Sequence, residues 1–133
     1  MRASTAEAAV KAGASIINDV SGGLADPEML QTAARLGVPY IAMHWRGQSK
    51  DMNSRAIYND VVIDVISELQ ERITAALDAG IEVGNLIFDP GLGFAKDGEH
   101  NWEIIDSIDS FVDLGYPVLV LSLIHISEPT RPY

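Results

Sequence analysis

Polar residues stand where short apolar runs end. Asn18 and Asp19 follow Ile16 and Ile17, His44 closes the run 38–43, and Asp89 follows Leu86, Ile87 and Phe88. In parallel α/β folds the C-terminal edge of the strands is the usual ligand face. A carboxylate or amide there costs desolvation energy unless it finds a partner. A single residue of this kind is ordinarily absorbed as a cap or a loop hydrogen bond. Three strands ending this way point to a site. The segment after the third strand reads Asp89-Pro90-Gly91-Leu92-Gly93-Phe94-Ala95-Lys96. Two glycines and a proline there make a tight loop beside the strand end. It is not a dinucleotide fingerprint, because the third glycine of G-x-G-x-x-G is missing, and no Gly-Lys-Ser/Thr makes it a P-loop. Residue types alone therefore give a carboxylate, a tight loop and an aromatic ring facing an unspecified ligand.

Other chemistry is thinner. His44, His100 and His125 have no partner His at helical spacing and there is no cysteine, so neither a metal constellation nor a disulfide framework is expected. The polar stretch 45–58 carries Arg46, Lys50 and Arg55 and is long for a connection, which suits either a solvated loop or a functional one. The net charge of −10 with nine basic residues argues against a nucleic-acid partner, which needs clustered Lys and Arg. No apolar run approaches the ~20 residues of a membrane span, and the first residues lack the apolar region of a signal peptide. A cytoplasmic location is the expectation.

The elements that would position these residues repeat one plan: an amphipathic helix, a glycine and an apolar strand. The glycines are Gly13, Gly37, Gly80 and Gly115, and the strands are expected at 15–20, 38–44, 85–89 and 117–120. Ser4 and Glu7 have capping-box spacing. Asp26 before Pro27 reads as an N-cap with proline at the first helical position. Val62, Ile66, Leu69, Ile73 and Leu77 form one apolar stripe on a helix from 61 to 79, and a last helix is expected from 102 to 114. Alternating helices and nearly continuous apolar strands give the α/β class with a parallel sheet. Periodicity does not choose between an open sheet and a closed barrel.

Three motifs, in order and spacing, resemble the dihydropteroate synthase family: residues 16–23 (Ile16-Ile17-Asn18-Asp19-Val20-Ser21-Gly22-Gly23), Met43-His44-Trp45-Arg46, and the run from Phe88 to Lys96. His100-Asn101-Trp102 has the form associated with actinobacterial members. The likeness covers residues 1–120, taken as a pterin-binding domain fragment. It implies a (β/α)₈ TIM barrel, here partial, with about four parallel strands and their helices. It also implies a transferase of folate biosynthesis that joins 6-hydroxymethyl-7,8-dihydropterin diphosphate to 4-aminobenzoate, with Mg²⁺ at the leaving diphosphate and a homodimeric parent enzyme. By the same resemblance, Asp89 and Asn18 would bind the pterin edge, and Val20, Met43 and Phe94 would line its slot. No catalytic residue and no metal ligand carries over.

The chain departs from the family pattern after Val120. Residues 121–133 resemble a translated sequencing adapter and are expected to be an artefactual tail. Several family groups have no counterpart here: the metal-holding asparagine, the strand-three aspartate and the Ser-Arg-Lys lysine. The 133-residue chain by itself is therefore expected to be inactive. The alternatives are a methyltetrahydrofolate-binding domain of a corrinoid methyltransferase and a non-functional gene fragment.

Overall fold

The computed structural model describes residues 1–47 and 58–121. Helix α1 (Ala3–Lys11) precedes strand β1 (Ile17–Asp19), and α2 (Met29–Leu36) precedes β2 (Tyr40–Met43). Then α3 (Val61–Asp78) and a 3₁₀ turn (Val83–Asn85) lead to β3 (Leu86–Asp89), followed by α4 (Gly98–Asp106) and α5 (Ile108–Val112). Lys50, Arg55 and the rest of 48–57 lie outside the described residues, as do 122–133, which hold His125 and most of the expected tail.

The three strands are parallel and lie in chain order. Ile17, Tyr40 and Leu86 form one row across the sheet, and Asp19, Ala42 and Phe88 form the next row on the same face. The strand residues of the hydrophobic core are Ile17, Tyr40, Ala42, Leu86 and Phe88, all on this face, where they meet Met29, Ala33, Val65, Leu69, Ile104 and Phe111 from the helices. The opposite face carries Asn18, Ile41 and Ile87 in one row and Met43 beside Asp89 in the next. None of these belongs to the core cluster. Right-handed crossovers between strands in unbroken order put every helix on one side. That is the arrangement of a barrel wall, and the described strands do not close it.

The fourth expected strand is reduced to a single bridge. Val118 pairs in parallel with Phe88, whose N–H donates to the Pro117 carbonyl and whose carbonyl accepts from Leu119. The next rung would need an N–H from residue 90, which is proline and has none. The rung before it would need an N–H from residue 117, which is also proline.

The helix boundaries also differ from expectation. Ser4 lies inside α1 rather than capping it, and Glu7 pairs with Lys11 and Arg35 instead. The Asp26 carboxylate takes over the cap from outside, accepting from the Ala3 N–H at 2.8 Å through one oxygen and from the Glu28 N–H at 2.9 Å through the other. Pro27 falls in the turn before α2. In α3 the fully buried line is Val61, Val65, Leu69 and Ala76, with Val62, Ile66, Ile73 and Leu77 packed beside it. The helix touches β2, α2 and α4 at once, so its buried band is wider than one stripe. The last helix starts earlier, where Asp97 and His100 form a reciprocal capping box, and it breaks at Ser107. All four expected helix-ending glycines have positive φ, and Gly37 in particular sits at φ 67 as the left-handed cap of α2.

Candidate active site

Adjacent residues at the end of β1 have opposite fates because strand side chains alternate. Asp19 points to the helix-covered face and is fully buried. One of its oxygens accepts from the Ser21 N–H and hydroxyl at 3.0 and 2.9 Å, the other from the Gly23 N–H and Tyr40 hydroxyl at 2.8 and 2.7 Å. Four donors satisfy it, so it is a structural anchor for the Ser21–Gly23 turn. Burial, and then the Asp19 charge, raises the Tyr40 hydroxyl well above the usual tyrosine range, so Tyr40 remains a donor. Asn18 is exposed on the open face, and Val20, one residue past the strand, is 42% exposed.

Asp89 is on the open face, only 2% exposed, beside the buried Met43. Its Oδ1 accepts from the Gly91 N–H at 2.8 Å; its Oδ2 accepts nothing among the described residues. Burial pushes its carboxyl up, against the Gly91 N–H and the charge of Lys96. The loop folds tightly over the end of β2. A Cβ on Gly91, at φ +73, would stand 2.6 Å from the His44 carbonyl oxygen, so only glycine fits. Ala95, at φ 53, is the one described non-glycine residue with positive φ. Phe94 is half-buried in this loop.

Beneath the loop lies a polar network that residue spacing did not reveal. Lys96, 8% exposed, donates to the Gly91 and Phe94 carbonyls at 2.8 and 2.7 Å and stands 2.9 Å from His44 Nδ1. With all three ammonium protons so placed, His44 accepts at Nδ1 and carries its own proton on Nε2. That Nε2 is 3.4 Å from Glu68 Oε2, close enough for attraction but too poorly aligned for a hydrogen bond. Burial, the largest influence, lowers the His44 imidazole to about 4 and the Lys96 ammonium to about 7. Glu68 forks to Arg46 at 2.9 and 2.8 Å. Burial pushes the Glu68 carboxyl up, but His44 and Arg46 outweigh it and hold the group at about 2. Arg46 lies 3.9 Å over the Tyr58 ring, and the Tyr58 hydroxyl donates to the Ala95 carbonyl at 2.8 Å. Asn101, on α4, accepts from the Gly93 N–H at 2.9 Å. Tyr58 ends a stretch that suited either a solvated loop or a functional one, and Glu68 lies on a helix read for its apolar stripe, so only three-dimensional proximity exposes their contacts. Among the described residues, no three His or carboxylate groups stand together as a metal site.

A buried carboxylate with one free oxygen, under a glycine-tight loop at the end of a barrel strand, suits a ligand edge with paired N–H donors. The family described as pterin binding enzyme matches residues 1–123. The chain belongs to this family. Among the relatives of this pterin-binding chain, the dihydropteroate synthase of Mycobacterium leprae (strain TN) is 45% identical over 120 residues, covering 90% of this chain and 42% of the relative. The structure of the Thermus thermophilus dihydropteroate synthase in complex with 4-aminobenzoate superimposes with a TM-score of 0.82 at 41% identity, covering 89% of this chain and 45% of that one. The Xanthomonas albilineans dihydropteroate synthase in complex with 7,8-dihydropteroate gives a TM-score of 0.80 at 39% identity, covering 89% and 42%. The pterin-binding chain thus spans less than half the length of each of these proteins.

Proposed function

We propose that this chain forms the pterin-binding part of a dihydropteroate synthase. In the proposed reaction the amine nitrogen of 4-aminobenzoate attacks the methylene carbon of 6-hydroxymethyl-7,8-dihydropterin diphosphate. The C–N bond forms as the C–O bond to the diphosphate breaks, the diphosphate leaves with the electron pair, and the amine gives up a proton. The observation that carries the reading is the free Oδ2 of the buried Asp89. An ionised carboxylate accepts the ring N–H and the neighbouring amino group of a pterin at once. Asn18, on the same face, would donate and accept at the other pterin edge, with Met43, Val20 and Phe94 as walls of the slot.

The resemblance also implies Mg²⁺ at the leaving diphosphate. The described residues offer no ligand set for it. A homodimeric parent enzyme in the cytoplasm, without nucleic-acid partners, completes the proposal; no helix among the described residues is long and apolar enough to cross a membrane. The test is to incubate the full-length protein with both substrates and follow dihydropteroate and diphosphate. Formation of both in equal amounts is expected. No product, or methyl transfer from methyltetrahydrofolate to a corrinoid instead, would overturn the reading.

A further inference from the structure

We propose that Lys96 is a positioning residue for the pterin site: its ammonium, caged by the loop and braced on His44, fixes the Gly91 and Phe94 backbone and favours the charged form of Asp89. This rests on the reading above that Asp89 holds the pterin edge. Gly91 is gripped at both ends of its backbone. Its N–H goes to Asp89 and its carbonyl to Lys96, while the Phe94 N–H donates to the same carbonyl. The second Lys96 bond, to the Phe94 carbonyl, ties down the residue proposed to wall the slot.

Hydrogen bonding alone does not require a lysine here. Neutral donors could reach two carbonyls without the cost of burying a charge. Among the described residues, the charged groups that face Lys96 are Asp89 from β3, Glu68 from α3 and Arg46 from the segment after β2, with His44 neutral at its third proton. Glu68 already has Arg46 as a bidentate partner. Among the described residues, Lys96 is the one cation whose charge bears on Asp89. A buried carboxyl left with one backbone N–H keeps its proton more readily, and the protonated acid then presents an O–H donor at one oxygen to a ligand edge that is itself all donors. The ammonium works against that protonation.

The experiment compares the full-length wild-type protein with Lys96→Met and Lys96→Gln. It measures kcat and the KM for the pterin diphosphate between about pH 6 and pH 8, with urea melts to verify folding. Gln retains two donors and removes the charge. In both variants kcat should stay within about threefold of wild type. The KM ratio to wild type should rise steadily as pH falls, toward a limit of about tenfold for each unit by which losing the ammonium raises the Asp89 pKa. The ratio should shrink as pH rises through about 7, where wild-type Lys96 itself loses its charge. A purely structural lysine would give a pH-independent ratio. If the Met variant does not fold, the Gln variant decides. A constant KM ratio across the range, or a Gln variant indistinguishable from wild type, overturns the proposal. A wild-type protein that makes no dihydropteroate overturns the functional reading instead.

Discussion

Replacing Asp19 by asparagine separates a structural carboxylate from a ligand-binding one. The wild-type group accepts four hydrogen bonds, two at each oxygen, in a fully buried position. Asparagine keeps one oxygen and puts an NH₂ in place of the other. The Ser21 and Tyr40 hydroxyls can rotate to accept from that NH₂. The Ser21 and Gly23 backbone N–H groups cannot turn, so one of them is left facing a donor. An orphaned buried N–H costs about 1–3 kcal/mol. With a urea m-value of about 1–3 kcal/mol/M, the midpoint should fall by about 1 M. The assay is equilibrium urea unfolding of the full-length protein, paired with kinetics well below the transition, where the pterin KM should stay within about twofold. An unchanged midpoint would refute the hydrogen-bond reasoning. A large rise in KM with an unchanged midpoint would show that Asp19, rather than its neighbour on the open face, meets the ligand.

Asp89→Asn should do the reverse: the amide offers one acceptor where the pterin presents two donors, so calorimetry should show affinity lower by about 1–3 kcal/mol with thermal stability nearly unchanged. Gly91→Ala forces a side chain to within 2.6 Å of the His44 carbonyl at φ +73; denaturant melts should show a loss of at least about 1 kcal/mol, and the pterin KM should rise. Because His44 is held at about 4, an unfolded chain takes up its proton near pH 6.5 while the folded one does not. The stability it contributes is therefore present above about pH 6.5 and lost as pH falls toward 4; His44→Gln should flatten the urea midpoint in that window. Glu68, held at about 2, contributes stability present above its unfolded value near 4.5 and lost as pH falls through 2, so Glu68→Gln should flatten the lower window, while the upper one persists because Glu68 raises rather than lowers the His44 pKa.

Much of this was legible in the chain. Asp89 at the end of an apolar run, followed by a proline and two glycines, read as a candidate site because a polar group at a strand end must find a partner or a ligand. The helix-ending glycines were equally plain, since left-handed backbone is a local demand. The rest depended on contacts distant in sequence. Asn18 and Asp19 are neighbours of similar size, and only the pairing of β1 with β2 decides which one faces the helices and which the open face. The α1 cap expected from Ser4 is supplied by Asp26, which is 23 residues from the N–H it satisfies. Strand order also decided which side of the sheet carries the helices, because handedness fixes the helix side only once neighbours are known. Lys96, His44, Glu68 and Arg46 each read locally as strand-end or loop polarity. Their protonation and their hold on the Asp89 loop arise from shared burial, a property of the folded assembly and of no short stretch of sequence.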